Sequence, residues 1–405
     1  MQAQEGQNVS NELRFDFLQV PQLKFGFGRI IELPESLEQF KATNCLFVGN
    51  RSVLKSAKIT EILAEIRENE QVTVGLLEVQ GEPDTTQVDK GVQLGKELQA
   101  NCVIAIGGGS AIDLGKAIAG LLTNGGEAKD YMEVIGTGKK ITNEPAPLIA
   151  IPTTAGTGSE ATKNAVILSK KEKIKASIRS PLLIPKLAII DPELMLSMPR
   201  NVTASTGMDA LTQLIEAYTS NKAQPLTDVL ARMGLNRAIK SLLLAYDNGQ
   251  DVSAREDMAF SALLSGICLA NAGLGAVHGF AGILGGRLEI PHGVICAALL
   301  KPVIEENIRQ MVKEVPYHRT LTKYVKLAYL FGVPKNENIK TTAFNLIERL
   351  KQLTNLLKIP KLSSLGLQEQ DFETIIPLVL KSSSIRYNPV ALSEEALYSI
   401  LQKTL

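Results

Sequence analysis

The feature that most constrains this chain is a change of pattern at Pro199-Arg200-Asn201. Before it, short apolar runs (Cys45 to Val48, Val72 to Val79, Cys102 to Ile106, Leu148 to Ile151, Ala188 to Ile190) alternate with segments of helical period such as Ile59 to Ile66 and Thr86 to Leu98. Continuous apolar runs of this length suit strands covered on both faces, and their alternation with helices predicts a doubly wound, mostly parallel sheet. Phe15 to Phe27 alternates enough for short strands, Pro152 should stop the strand at Ile151, and Ala165 to Leu168 with Ile174 to Ile178 reads as a hairpin around a run of lysines. After Asn201 every periodic segment has helical spacing: Leu226 to Leu243, Ala254 to Leu269, Ala297 to Asn307, Thr320 to Phe331, Thr341 to Leu356 and Gln370 to Lys381. The expected fold is an α/β domain over residues 1–198 followed by an all-α domain over 199–405, with a cleft between them as the natural ligand site. The polar residues 1–12 are expected to form a loose tail.

Composition excludes several classes. Lysine plus arginine (43) nearly cancels aspartate plus glutamate (42), so no bulk field argues for nucleic acid or a membrane surface. Cys45, Cys102, Cys268 and Cys296 are scattered without a Cys-x-x-Cys pair, which predicts thiols in a reducing compartment, and the first ten residues lack the apolar core of a secretory signal. No stretch of about twenty apolar residues appears, so no transmembrane helix is expected and the cytoplasm is the default location.

Chemistry concentrates in two places. Gly107-Gly108-Gly109-Ser110 joins an apolar run to a helical one; glycines let backbone amides approach an anion, and a helix N-terminus offers unpaired N–H groups to it. The plainer reading is a tight turn with Ser110 and Asp113 as a capping box. The second place is Thr206 to Tyr218, an apolar amphipathic helix in which Asp209 and Gln213 share a face. Two of the three histidines, His278 and His292, follow in a glycine-rich apolar region. Carboxylate, amide oxygen and two imidazoles can make one divalent-metal site of borderline softness. The alternatives are that Asp209 only caps a helix starting at Thr206, and that the histidines are satisfied core residues. His318 matches no pattern and is expected on the surface.

Gly107 to Lys116, Pro152-Thr153-Thr154-Ala155-Gly156-Thr157-Gly158-Ser159-Glu160, Thr206 to Tyr218, and the His278 and His292 phrases occur in that order. The set resembles the iron-dependent (group III) alcohol dehydrogenases from about Phe15 through Asn307. The resemblance implies a Rossmann-like dinucleotide domain on a helical domain, the two-domain plan also seen in dehydroquinate synthase. It implies that Gly107, Gly108, Gly109, Ser110 and Asp113 cradle a pyrophosphate, and that Thr153, Thr154, Thr157 and Lys175 contact the cofactor. It further implies that Asp209, Gln213, His278 and His292 hold Fe²⁺ or Zn²⁺, that the reaction is reversible hydride transfer between an alcohol and an aldehyde or ketone, and that the chain forms a homodimer or larger homo-oligomer. Two departures stand out. The family usually has histidine where this chain has Gln213, and many members have histidine where it has Gly282, so the proton is expected to leave through water or a ribose hydroxyl. Relatives that prefer NAD tend to carry an aspartate after the first buried strand; Gly49-Asn50-Arg51 lacks a carboxylate to repel a 2′-phosphate, and Arg51 can pair with one, so NADP is favoured over NAD. Two other readings remain: a lyase of the dehydroquinate-synthase type, whose phosphorylated acid would need more cationic residues than Arg287, and a nucleotide-binding relative with catalysis impaired by Gln213 and Gly282.

Overall fold

The central strands of the first half are apolar on both sides, and the sheet they build is covered on both sides there. The computed structural model describes residues 14–288, 290–314 and 319–405; the tail over 1–12 and His318 lie outside the described residues. In chain order the first half runs β1 (Gln22–Phe25), α1 (Leu33–Gln39), β2 (Asn44–Asn50), α2 (Arg51–Leu54), α3 (Ala57–Glu68), β3 (Thr73–Val79), α4 (Thr85–Glu97), β4 (Cys102–Gly107), α5 (Gly109–Asn124), α6 (Ala128–Tyr131), β5 (Leu148–Pro152), the hairpin β6 (Asn164–Ser169) and β7 (Ile174–Arg179), and β8 (Leu187–Ile190).

Six strands pair in the order β1-β8-β5-β4-β2-β3, all parallel, while β6 and β7 form a separate antiparallel pair. Along β4 the side chains alternate between two cores: Val103 and Ala105 pack with Val88, Val92 and Ile118 of α4 and α5, whereas Cys102, Ile104 and Ile106 pack with Leu37, Ile59 and Leu63 of α1 and α3. The chain first adds β3 on one side of β2, then places β4 on the other. That reversal makes the carboxyl ends of β2 and β4 a topological switch point, where open α/β sheets hold ligands.

From Arg200 the described residues contain helices and no strand: α7 (Arg200–Thr219), α8 (Pro225–Asp247), α9 (Val252–Ala272), α10 (Ala276–Leu288), α11 (His292–Glu314), α12 (Arg319–Leu330), α13 (Ile339–Leu356), α14 (Phe372–Lys381) and α15 (Glu394–Gln402). Helix α7 lies at the centre of this half; every residue from Gly207 to Thr219 is buried. Among the described residues no single helix is long and apolar enough to cross a membrane.

Several local expectations are corrected. Only Gln22–Phe25 of the alternating N-terminal stretch becomes a strand, because its single neighbour β8 offers four paired positions. The strand β5 does end at Pro152, which is its last residue, paired opposite Gly107 one position beyond the expected Ile151. The expectation of helices throughout the second half extends to the glycine-rich stretch around His278, which is α10 and gains its stability from packing against α11 and α14 rather than from intrinsic propensity. The C-terminal α15 had no sequence-based counterpart.

Candidate functional site

The switch point is built largely by backbone. Gly108 is the N-cap of α5 with no side-chain cap, so the Ser110–Asp113 capping box does not form. Asp113 instead accepts from the Ser159 hydroxyl (2.5 Å) and the Val166 amide (3.1 Å), and lies 3.8 Å from Lys116 Nζ. The wholly buried Lys116 ammonium donates to Ser159 Oγ, Thr162 Oγ1 and the Asn164 carbonyl, each at 2.8 Å. A polar knot behind the turn thus ties α5 to the threonine-rich loop, and the first N–H groups of α5 stay free of side-chain caps. Burial pushes Glu160, beside this knot, up to about 7, and pulls Lys116 down to about 8.

The loop from Thr153 to Ser159 closes over the turn. A Cβ at Gly109 would sit 2.8 Å from Thr157 Oγ1, and one at Gly108 3.2 Å from Thr154 Oγ1, so side chains there would fill the cradle. Asn50 Oδ1, from the end of β2, lies 3.2 Å from the Cβ position of Gly107, and the Thr153 amide donates to the Gly107 carbonyl (2.9 Å). Gly49, Asn50, Gly107, Gly108, Gly109, Thr153, Thr154 and Thr157 therefore converge, with Arg51 exposed at their rim. The shape and the free helix terminus fit a diphosphate. Lys175, on β7, is 3.1 Å from Glu82 and reaches toward Gly285 of α10, between the two halves.

The second cluster is built by side chains from three helices. Asp209 is the tenth residue of α7, so it caps nothing; Thr206 Oγ1 donates to the Val202 carbonyl one turn back. Asp209 Oδ1 lies 3.3 Å from His278 Nε2 on α10 and 3.8 Å from His292 Nε2 at the start of α11. Gly293 permits that approach, since a Cβ there would stand 2.3 Å from the Ser205 carbonyl of α7. The His278 and His292 rings are 5.3 Å apart, tilted by 50°. The His278 side chain is 6% exposed and Asp209 3%, but His292 is 38% exposed and forms the open side. Gln213 is buried one turn beyond Asp209, with its Oε1 3.2 Å from Ser265 Oγ of α9.

Two residues of this cluster were not read from the sequence. Glu216 accepts from His278 Nδ1 (2.6 Å) and from the Val277 amide (2.8 Å), which fixes the ring's tautomer and turns Nε2 toward Asp209. Its signal was spacing: Asp209, Gln213 and Glu216 stand at i, i+4 and i+7 on one helix face. Cys296 has its Sγ 3.7 Å from His278 Nε2, and its signal was likewise position i+4 from His292. One donor atom each from Asp209, His278, His292 and Cys296 lie within 4.8 Å of one another.

The electrostatics suit a cation. Burial alone would depress the imidazoles, yet Cys296, Glu216 and Asp209 hold His278 well above its ordinary value, and Cys296 with Asp209 sets His292 at about 9. Burial works to raise Asp209, but the two imidazoles and the Gln213 amide hold it below the usual carboxylate value. A pocket that draws protons onto two histidines is one that a divalent metal can neutralise in their place. On donor type, convergence and field, the residues fit such an ion.

The two places are joined. A Cβ at Gly156 would be 2.7 Å from Thr206 Cβ, and Ser265 Oγ, the neighbour of Gln213, is 3.4 Å from the Gly156 carbonyl. Gly282, one turn beyond His278, has nothing within 4 Å of its Cβ position and opens onto space.

Residues 21–192 match the family "Iron-containing alcohol dehydrogenase", and residues 203–405 match "Fe-containing alcohol dehydrogenase family, C-terminal". The chain is 36% identical over 383 residues to alcohol dehydrogenase 4 of Schizosaccharomyces pombe, covering 94% of this chain and 87% of that protein. It is 32% identical over 394 residues to 1,3-propanediol dehydrogenase of Citrobacter freundii, covering 96% and 98%. A crystal structure of a 1,3-propanediol oxidoreductase superposes with a TM-score of 0.88 at 32% identity, covering 97% of this chain and all (100%) of the other. These likenesses do not favour a lyase or a relative with impaired catalysis.

Proposed function

The chain belongs to the iron-containing alcohol dehydrogenases, metal-dependent oxidoreductases that use NAD(P), and from that premise we propose how its own residues divide the work. Residues 1–198 form the dinucleotide domain and 199–405 the metal and substrate domain. Gly107, Gly108, Gly109 and Ser110 hold the diphosphate on the α5 terminus, with Asp113 positioning the loop through Ser159. Thr153, Thr154, Thr157 and Lys175 line the cofactor toward the cleft, and Gly49, Asn50 and Arg51 take its adenosine end. Asp209, His278 and His292 hold a divalent metal, Fe²⁺ or Zn²⁺, with Gln213 beside them.

The observation that carries this reading is the single loop, Thr153 to Ser159, that touches both the α5 turn and α7 three residues before Asp209. It sets the cofactor cradle and the metal donors on opposite sides of one cleft. Bound there, a divalent metal would supply Lewis-acid polarisation of a substrate oxygen and a nicotinamide cofactor would supply the hydride chemistry. The chain's own part is to orient and to shield. Glu216 holds His278 in one tautomer, the buried wall of α7 and α9 excludes water from one side, and the space at Gly282 admits water to carry the alcohol proton away. The substrate is a small alcohol or its carbonyl partner.

Further placement follows from the surface. Four buried free cysteines suit the cytoplasm. The edge strand β1, with Leu23, Phe27 and Ile31 exposed near it, suits a homodimer or larger homo-oligomer.

Arg51 at the rim favours NADP over NAD. Kinetics on a panel of small primary alcohols with each cofactor test this: NADP should give the higher kcat/KM, and Arg51→Ala should narrow the gap by about 1–3 kcal/mol. A tenfold preference for NAD in the parent protein would overturn the cofactor assignment, and no turnover of any alcohol or aldehyde would overturn the substrate class.

A further inference from the structure

We propose that Cys296 is a metal donor, taking as a thiolate the corner that Gln213 leaves open. The inference rests on the reading of Asp209, His278 and His292 as metal ligands, and its experiment separates the two.

The argument begins with Gln213. An amide can ligate only through its oxygen, since its NH₂ has no available lone pair. Here Oε1 faces Ser265 at 3.2 Å, while the amide helps to hold Asp209 ionised. Gln213 therefore acts as a neighbour of the ligand carboxylate, with its oxygen engaged by Ser265.

Cys296 occupies the position that remains. His292 and Cys296 are four apart on α11, so both project from one face. The thiol is wholly buried, yet its sulfur is aimed at polar atoms: 3.7 Å from His278 Nε2, and in the cluster with Asp209 and His292 whose donors all lie within 4.8 Å. Bonds of about 2.0–2.3 Å at tetrahedral angles place neighbouring donors roughly 3.3–3.7 Å apart. The observed separations of 3.3, 3.7 and 3.8 Å are close to those edges before any ion draws the side chains in. Cys45, Cys102 and Cys268 offer a contrast: burial pushes the thiols of Cys45 and Cys268 up to about 12 and that of Cys102 higher still, and none of the three belongs to such a cluster.

Binding exchanges the S–H bond for a metal–sulfur bond and releases that proton to solvent, with no change of oxidation state. The donor set becomes one carboxylate, two imidazoles and one thiolate. Thiolate is the softest of these and shifts preference from Fe²⁺ toward Zn²⁺ or Co²⁺. His292, partly exposed, keeps the side that faces the cleft, where a substrate oxygen would enter as a fifth donor.

The test strips the full-length protein of metal and titrates it with Co²⁺ and Zn²⁺. With Co²⁺ the parent should develop a near-ultraviolet thiolate-to-cobalt charge-transfer band at one equivalent, and X-ray absorption of the Zn²⁺ form should show one sulfur at about 2.3 Å. Cys296→Ser should lose the band and bind Zn²⁺ at least ~10-fold more weakly in competition with a chelator, whereas Gln213→Ala should keep the band and bind within ~3-fold of the parent. Unchanged melting temperature and NADPH binding would show that each variant folds. Cobalt bound at one equivalent, abolished by Asp209→Ala but lacking any thiolate band, would overturn the role of Cys296 and leave the metal site standing. Cobalt binding indifferent to Asp209→Ala would overturn both.

Discussion

The α5 turn and the α7–α10–α11 pocket solve opposite problems with opposite materials. On the proposed reading the turn receives a large anion, and what it offers is backbone: glycines, a helix terminus without a side-chain cap and a switch in strand order. Its determinants are nearly contiguous, in Gly107 to Ser110 and Thr153 to Ser159. On the same reading the pocket concentrates charge on a small cation, and what it offers is side chains gathered from three helices over Asp209 to Cys296. Shape made by backbone fails through crowding, whereas a donor set made by side chains fails through loss of a single atom. The two regions should therefore respond separately to substitution.

The sharpest way to break that separation is Asp209→Ala. It should lower kcat/KM for alcohol oxidation by at least about 10³-fold, the loss of several kcal/mol of charge stabilisation, while NADPH binding followed by fluorescence stays within ~3-fold. A comparable loss of cofactor affinity would mean that the two regions are one cooperative unit.

The next effect is in the polar knot behind the turn, where the backbone-built region depends on a titrating group. Glu160 is raised by burial from 4.5 to about 7, so the folded state holds its proton more tightly than the unfolded chain does. The stability this contributes is fully present below pH 4.5 and lost as pH rises through about 7. Denaturation curves should show the parent losing up to roughly 3 kcal/mol relative to Glu160→Gln across that window, without change in metal affinity. Parallel curves for the two proteins would remove Glu160 as the source.

A smaller effect is expected at Gly109. A Cβ there meets Thr157 at 2.8 Å, but a threonine side chain can yield by a few tenths of an ångström. Gly109→Ala should weaken NADPH binding by about 10–100-fold and leave metal content unchanged. Loss of metal along with cofactor would again join what the structure separates.

The same contrast explains what was legible in the chain. The parallel sheet could be read because β2, β4, β5 and β8 are continuous apolar runs, and burial on both faces leaves little else for such runs to do. The turn could be read because its glycines are adjacent. The Ser110–Asp113 cap failed because a tertiary partner, Ser159 with Val166, outbid a local one for the Asp113 carboxylate. Asp209, His278 and His292 stood out because histidine is rare here and the surroundings apolar. Glu216 and Cys296 were hidden: each is one helical turn or two from a noticed residue, but spacing on one helix does not reveal what the next helix brings opposite it. The bounds of α10 could not be read for a related reason, its glycines serving close contact with α14 and the β7 strand rather than local propensity.

The central claim is that one cleft joins a cofactor cradle that works without metal to a donor pocket that needs it. The direct measurement is NAD(P)-linked oxidation of a small primary alcohol by the full-length protein as purified, after chelation, and after return of one equivalent of Zn²⁺ or Fe²⁺. The account predicts that chelation abolishes turnover while NAD(P)H binding is retained, and that one equivalent of metal restores turnover in the parent but not in Asp209→Ala. Turnover that survives complete removal of metal, or that metal restores equally in Asp209→Ala, would contradict it.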